Sequence, residues 1–361
     1  MREGRGDLGK HPGGMDRRNC WLRGRQLVQL GPADLAPLGS GVAAVRPSAA
    51  QANQPRRIIR PPRRARLLQR NNVVHLHRVR CDAPSGQAQP TNYGESLTIS
   101  GGTVKSSSYA INNNSANQVT ITGGTIKASN AINNNKEGNI NILGSNITGV
   151  VCNYNEGTID LCGDDINVSY VQNKSSGIIN QSAGTVERIE ILSQNGSSNI
   201  TGGLTKYISN AGTIKAINST ITSVSNSKDI DIIDSNISNV NNTGSMKITN
   251  CDVNTTNVAV TNLGSITIKN SNITTTGYGI DNKANGVINI DSVNITSSDS
   301  YGVNNSGTLV LGEKENTQSD EKIVITGKTY GVYNYNGNNV VFNYYRGVIK
   351  GKTAIYGYVD D

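Results

Sequence analysis

Apolar and polar residues alternate in this chain over very short stretches, and each alternation then stops. Leu97-Thr98-Ile99, Val119-Thr120-Ile121, Ile140-Asn141-Ile142 and Ile159-Asp160-Leu161 are such triplets. Ile230-Asp231-Ile232, Met246-Lys247-Ile248, Ile266-Thr267-Ile268, Ile288-Asn289-Ile290, Leu309-Val310-Leu311, Ile323-Val324-Ile325 and Val340-Val341-Phe342 continue the series. Side chains of a strand point alternately to its two faces, so each triplet predicts a strand with its ends turned inward and its middle outward. A second short strand is expected after most triplets, centred on Val104, Ile126, Ile147, Ile166, Val186, Leu204, Ile221, Ile237, Val253, Ile273 and Ile295. Successive centres lie 22, 21, 19, 20, 18, 17, 16, 16, 20 and 22 residues apart. That drift fits a coil whose strands are fixed and whose turns vary in length.

The repeat is plainest between Gly101 and Asn135. Gly101-Gly102-Thr103-Val104-Lys105, followed by Ala110-Ile111-Asn112-Asn113-Asn114, returns as Gly123-Gly124-Thr125-Ile126-Lys127 and Ala131-Ile132-Asn133-Asn134-Asn135. Self-similarity at about 20 residues marks a solenoid, and the unit is too short for a pair of helices. The expected architecture is an all-β parallel β-helix of about 12–13 coils over residues 93–361, about 60 Å long at the strand spacing. A third feature recurs after the second strand. Asn113, Asn134, Asn153, Asn173, Asn262, Asn282, Asn305 and Asn334 occupy similar places beside an apolar residue. Stacked at the strand spacing, amides that both donate and accept can form a hydrogen-bonded column. Tyr109, Tyr278, Tyr301 and Tyr330 stand four residues before their asparagines and are expected to stack as well.

Composition divides the chain near residue 90. All nine prolines, all three histidines and Trp21 precede residue 91, and all fourteen tyrosines follow it. The first 90 residues carry 17 Lys and Arg against 5 Asp and Glu, whereas the remainder carries 17 against 21. The net charge of +8 therefore averages two unlike pieces, and overall basicity is no argument for a nucleic-acid partner. Residues 1–92 lack a sustained period and are expected to be a disordered basic Arg/Pro-rich segment. The change from Gly, Ala, Arg and Pro to Asn, Ile, Lys and Tyr is abrupt enough to raise a wrong start or a joined reading frame. Residues 1–10 are polar and no apolar h-region follows, so no signal peptide is read, and no apolar run reaches membrane-spanning length.

These repeats, Gly123-Gly124-Thr125-Ile126 with Ala131-Ile132-Asn133-Asn134 among them, resemble right-handed parallel β-helices of the pectate-lyase-like superfamily. They are most similar to the repeat regions of large adhesin-like surface proteins of gut bacteria. Gly327 to Asn334, with Phe342 to Lys352, resembles a closing module of such regions. The resemblance implies a right-handed coil and a cell-surface or extracellular place in a bacterial protein. It implies little about activity, because many activities are grafted onto one scaffold.

Lyase relatives use Ca²⁺ held by carboxylates and an Arg base, and polygalacturonase relatives use paired Asp with a Gly-His-Gly element. Here residues 93–361 hold no His and two Arg, Arg188 and Arg346, and Asp164-Asp165 is the one internal Asp pair. A solvated turn accounts for that pair. His75-Leu76-His77 with Cys81 lacks the second cluster a metal site needs. Cys152 and Cys162 are expected on different faces, and Cys251 reads as core packing in the slot that Ser235 and Ser271 fill. Sequons such as Asn146-Ile147-Thr148 are expected by chance in so Asn-rich a chain. No cofactor, metal or catalytic residue is therefore expected. Tyr333, Tyr335, Tyr344, Tyr345, Tyr356 and Tyr358 form the candidate binding cluster, since tyrosine offers a flat apolar ring and a hydroxyl to a sugar or a protein. The expected role is a non-catalytic structural or adhesive segment that contacts carbohydrate or a surface protein and can associate end to end. The alternative is a carbohydrate-active β-helix enzyme. An ice-binding face of regular Thr-x-Thr rows is not legible.

Overall fold

The computed structural model describes residues 73–76, 79–83, 91–92, 96–314, 322–335, 337 and 339–357. They form a parallel β-solenoid of about 13 coils with no helix among them. Each coil has three short sides. The first is a strand of the fourteen-stranded parallel sheet that runs from Val73–Leu76 to Val341–Tyr344. The second carries the apolar column Val104, Ile126, Ile147, and onward to Ile273, Ile295 and Ile325. The third ends at the asparagine column. In the middle coils the second and third sides are one bent strand, as in Thr125–Asn134 and Asn236–Asn242. Elsewhere they separate, as in Asn272–Thr275 and Ile280–Asn282.

The local chemistry explains the shape. β-Branched Ile, Val and Thr suit a strand, and proline, which would break the ladder, is absent after residue 90. The corner between first and second sides needs a left-handed residue. Asn218, Asp234, Asn250, Asn270 and Ser292 supply it, with φ between 50° and 54°. The next residue is small and buried, as at Ser219, Ser235, Cys251 and Ser271. Each donates back to the carbonyl two residues earlier, Ser235 to Ile233 at 2.7 Å and Ser271 to Lys269 at 2.7 Å. Cys251 does the same to Thr249 at 3.2 Å, so the thiol fills the expected slot as a small packing residue.

Several sequence expectations are displaced. Parallel pairing starts before residue 93, because Val73–Leu76 pairs with Ser96–Ile99 and Val79–Ala83 with Gly102–Ser106. Residues 1–72 lie outside the described residues. The second-side column passes through Val168 and Thr205, not Ile166 and Leu204. Ile166 is buried at the preceding corner, while Leu204 points half outward. Ile323-Val324-Ile325 lies at the second side, where Val324–Gly327 pairs with Asn294–Ser297. In the last first-side strand Phe342 succeeds Leu309, so Val340 is half-buried and Tyr344 follows Leu311. Within residues 93–361 three first-side strands escaped the triplet pattern altogether: Ile178–Gln181, Ser197–Ile200 and Thr213–Ile217. Polar residues hold inward places there. Gln181 is fully buried and accepts from Thr205 at 2.6 Å, and Ser198 is buried between Ile179 and Ile214.

Candidate functional site

The asparagine column is continuous hydrogen bonding over long stretches. Asn92 donates to Asn113 at 3.0 Å, Asn113 to Asn134 at 2.9 Å and Asn134 to Asn153 at 2.9 Å. It resumes as Asn210 to Asn226, Asn226 to Asn242, Asn242 to Asn262 and Asn262 to Asn282, at 2.8–2.9 Å. Asn282 then donates to Asn305 at 2.8 Å and Asn305 to Asn334 at 2.7 Å. Most of these amides also clasp the following turn, as Asn226 does through Lys228 and Ser245. All eight expected ladder residues are buried in this column, with Asn173 in register above Asn153. Asn92, Asn210, Asn226 and Asn242 were missed. For the last three the signal was present, since Ile208, Val224 and Val240 stand two residues before them just as Val260 precedes Asn262, whereas Pro90 stands before Asn92.

One rung interrupts the column. Ile191 sits between Asn173 and Asn210 in register and cannot hydrogen-bond. A polar network gathers on the outer surface beside it. Glu190 accepts from Tyr170, from Gln172 Nε2 at 2.7 Å and from Arg188 at 2.7 Å. The Arg188 guanidinium lies between two rings, 5.3 Å from Tyr170 and 4.9 Å from Tyr207. Burial would raise the Glu190 carboxyl, but the three donors and the Arg188 charge outweigh it and hold it below its ordinary value. Burial and the bond to Glu190 push the Tyr170 phenol up to about 12. The Glu190 carboxylate thus gathers donors from two successive rungs, Tyr170 and Gln172 on one and Arg188 on its own, which is the arrangement of a clamp.

The tyrosines divide into two sets. Tyr278, Tyr301 and Tyr330 rise in successive rungs at one outer corner, with ring centroids 5.1 and 5.0 Å apart. Tyr333 and Tyr356 form an adjoining column, stacked at 5.1 Å with planes 7° apart. Tyr301–Tyr333 at 5.4 Å and Tyr330–Tyr356 at 5.3 Å join the columns into one aromatic surface across four rungs. Burial, then the neighbouring Tyr278, Tyr330 and Tyr333 phenols, raise the Tyr301 phenol. Tyr109 does not join, because Asn130 and Val150 follow it in register. Tyr344 and Tyr345 stand elsewhere, at the end of the last first-side strand, where the Tyr344 hydroxyl donates to Gly347 at 2.6 Å. Tyr335 is exposed in the turn after Asn334, and Tyr358 lies outside the described residues. The six-tyrosine cluster is thus not one site: Tyr333 and Tyr356 belong to the aromatic surface, and Tyr278, Tyr301 and Tyr330 complete it.

Asp164 and Asp165 are both exposed in a turn. Cys152 is buried and Cys162 exposed, both as free thiols, and burial pushes the Cys152 thiol up. His75 and Cys81 fall in paired strands, and His77 lies outside the described residues. Among the described residues no three His, Cys, Asp or Glu are grouped to hold a metal. Nor is any helix among them long and apolar enough to cross a membrane. No family model, curated protein or solved structure matches the chain.

Proposed function

We propose that this chain is a non-catalytic structural and adhesive segment of a bacterial surface protein. Its contact surface is the tyrosine corner formed by Tyr278, Tyr301, Tyr330, Tyr333 and Tyr356. The observation that carries the reading is the gathering of these five rings on one outer surface over four consecutive rungs. Ring edges and hydroxyls offer apolar area and hydrogen bonds at little entropic cost, which is how tyrosine serves in binding surfaces. The remaining regular features, the amide and aliphatic columns, are accounted for by holding coil on coil. The charged groups of the Glu190 network are bound to one another, which favours a structural over an acid/base role.

The extended shape suits a partner that runs along the axis, a polysaccharide or a protein of the surface to be held. The test is retention of the full chain on a panel of insoluble xylan, cellulose, chitin, mucin and immobilised collagen. The same supernatants are assayed for reducing ends and unsaturated uronates. Retention on one of these without product is expected. Product release above background, lost with Glu190→Gln, would establish the enzymatic alternative instead.

A further inference from the structure

A second surface, on the first side, has the make-up of a binding pocket. A cleft of about 480 Å³ opens over the rungs Ser265–Lys269, Val287–Asp291 and Thr308–Leu311. Such a volume lies within the range of small-molecule sites, roughly 300–1,000 Å³. Thr267, Asn289 and Val310 follow one another in register and form its floor. Lys269, Asp291, Glu313 and Lys314 line one wall, and Tyr345, about a third exposed, lines another.

Asp291 is held in place from within, whereas Lys269 and Glu313 pair at the solvent-facing rim. Lys269 contacts Glu313 at 3.0 Å and Asp291 at 3.8 Å. Arg346 reaches back to Asp291, and both side chains are largely buried. Gly312 makes that reach possible. Its φ is +81°, and a Cβ there would lie 2.6 Å from Arg346 Cγ. A carboxylate, an ammonium, an amide and a hydroxyl thus face a tyrosine ring across a cleft whose two carboxylates are both paired with cations.

We propose that this cleft binds one neutral pyranose unit of a glycan. Sugar hydroxyls donate to Asp291 and Glu313 and accept from Lys269 and Asn289, while the C–H face of the ring packs on Tyr345. A carboxylated ligand would bring a third carboxylate beside Asp291 and Glu313. The site lies apart from the tyrosine corner and stands whether or not that corner binds anything.

Saturation-transfer NMR and titration calorimetry on the full chain, with the four methyl glycosides of glucose, galactose, mannose and N-acetylglucosamine and with methyl galacturonide as the charged control, test it. At least one is expected to bind with a Kd of about 1 mM, the strength a single small ligand allows. Tyr345→Ala and Asn289→Ala should each weaken it at least tenfold, and Tyr109→Ala, an exposed ring outside both surfaces, should leave it unchanged. Glu313→Gln, an exposed site, replaces Tyr345→Ala if that variant does not fold, with the same loss expected. No binding by any of the four at 20 mM, binding of methyl galacturonide alone, or cleft variants that bind like the parent would each overturn the proposal.

Discussion

At the scale of a residue, the asparagine column makes the sharpest claim. Asn226 accepts from Asn210 and donates to Asn242, Lys228 and Ser245. Its removal strands several buried partners at once, each at about 1–3 kcal/mol. Asn226→Ala should therefore lower stability by about 3 kcal/mol or more, read from urea unfolding followed by circular dichroism. Position 191 provides the opposite case. Ile191 is buried, yet asparagines flank it above and below in register. Ile191→Asn restores the column and should stay within about 1 kcal/mol of the parent, whereas Ile189→Asn, with aliphatic neighbours Val171 and Ile208, should cost about 3 kcal/mol or more. Equal losses at 189 and 191 would show that the column adds nothing beyond packing. Ser198 supplies a third test. Its hydroxyl is buried without a partner between Ile179 and Ile214, so Ser198→Val should raise the urea midpoint.

At the scale of the element, the Glu190 clamp ties together rungs that the amide column leaves unjoined. Its energy depends on pH at both ends. The Tyr170 phenol is raised, so its contribution is complete below about pH 10 and fades as pH climbs towards about 12. The Glu190 carboxyl is lowered, so its contribution is present above the ordinary carboxylate range and is lost as pH falls through its depressed value. The difference in urea midpoint between parent and Tyr170→Phe should therefore shrink from pH 9 to pH 12. That between parent and Glu190→Gln should shrink in acid. A difference that stays constant across either window would remove the clamp from the account.

The same scale shows what was legible in the sequence. Solenoid class and most strands could be read because inward Ile, Val and Leu recur with period two inside each strand. Three first-side strands could not, because Gln181, Ser198 and Ala216 occupy inward places that the triplet pattern reserves for large apolar residues. The register slips at Ile166 and Leu204 have a similar origin. Both are apolar, yet Val168 and Thr205 two and one residues later are the ones that enter the second-side column. The candidate site was legible only in part. Tyrosine density pointed to the C-terminal end, but nearness in sequence grouped Tyr344 and Tyr345 with Tyr333 and Tyr356. Stacking instead joins Tyr333 to Tyr301, 32 residues earlier, since neighbours in a solenoid lie one coil away. The Glu190 network and the cleft around Asp291 were invisible for the same reason: their members meet only through register.

At the scale of the whole molecule, stacked coils divide the labour. Amide, hydroxyl and aliphatic columns inside hold each rung to the next, and the outer surface is free to vary. Adhesion through the tyrosine corner is the central claim, and substitution at that corner tests it most directly. The full chain and its Tyr333→Ala/Tyr356→Ala variant are compared for retention on the polymer that holds the parent best. Both sites are on the outer surface, so circular dichroism and melting temperature should be nearly unchanged. The account predicts at least a tenfold loss of apparent affinity, the effect expected when tyrosine anchors are truncated at about 1–2 kcal/mol each. Retention equal to that of the parent, with the fold intact, would contradict it.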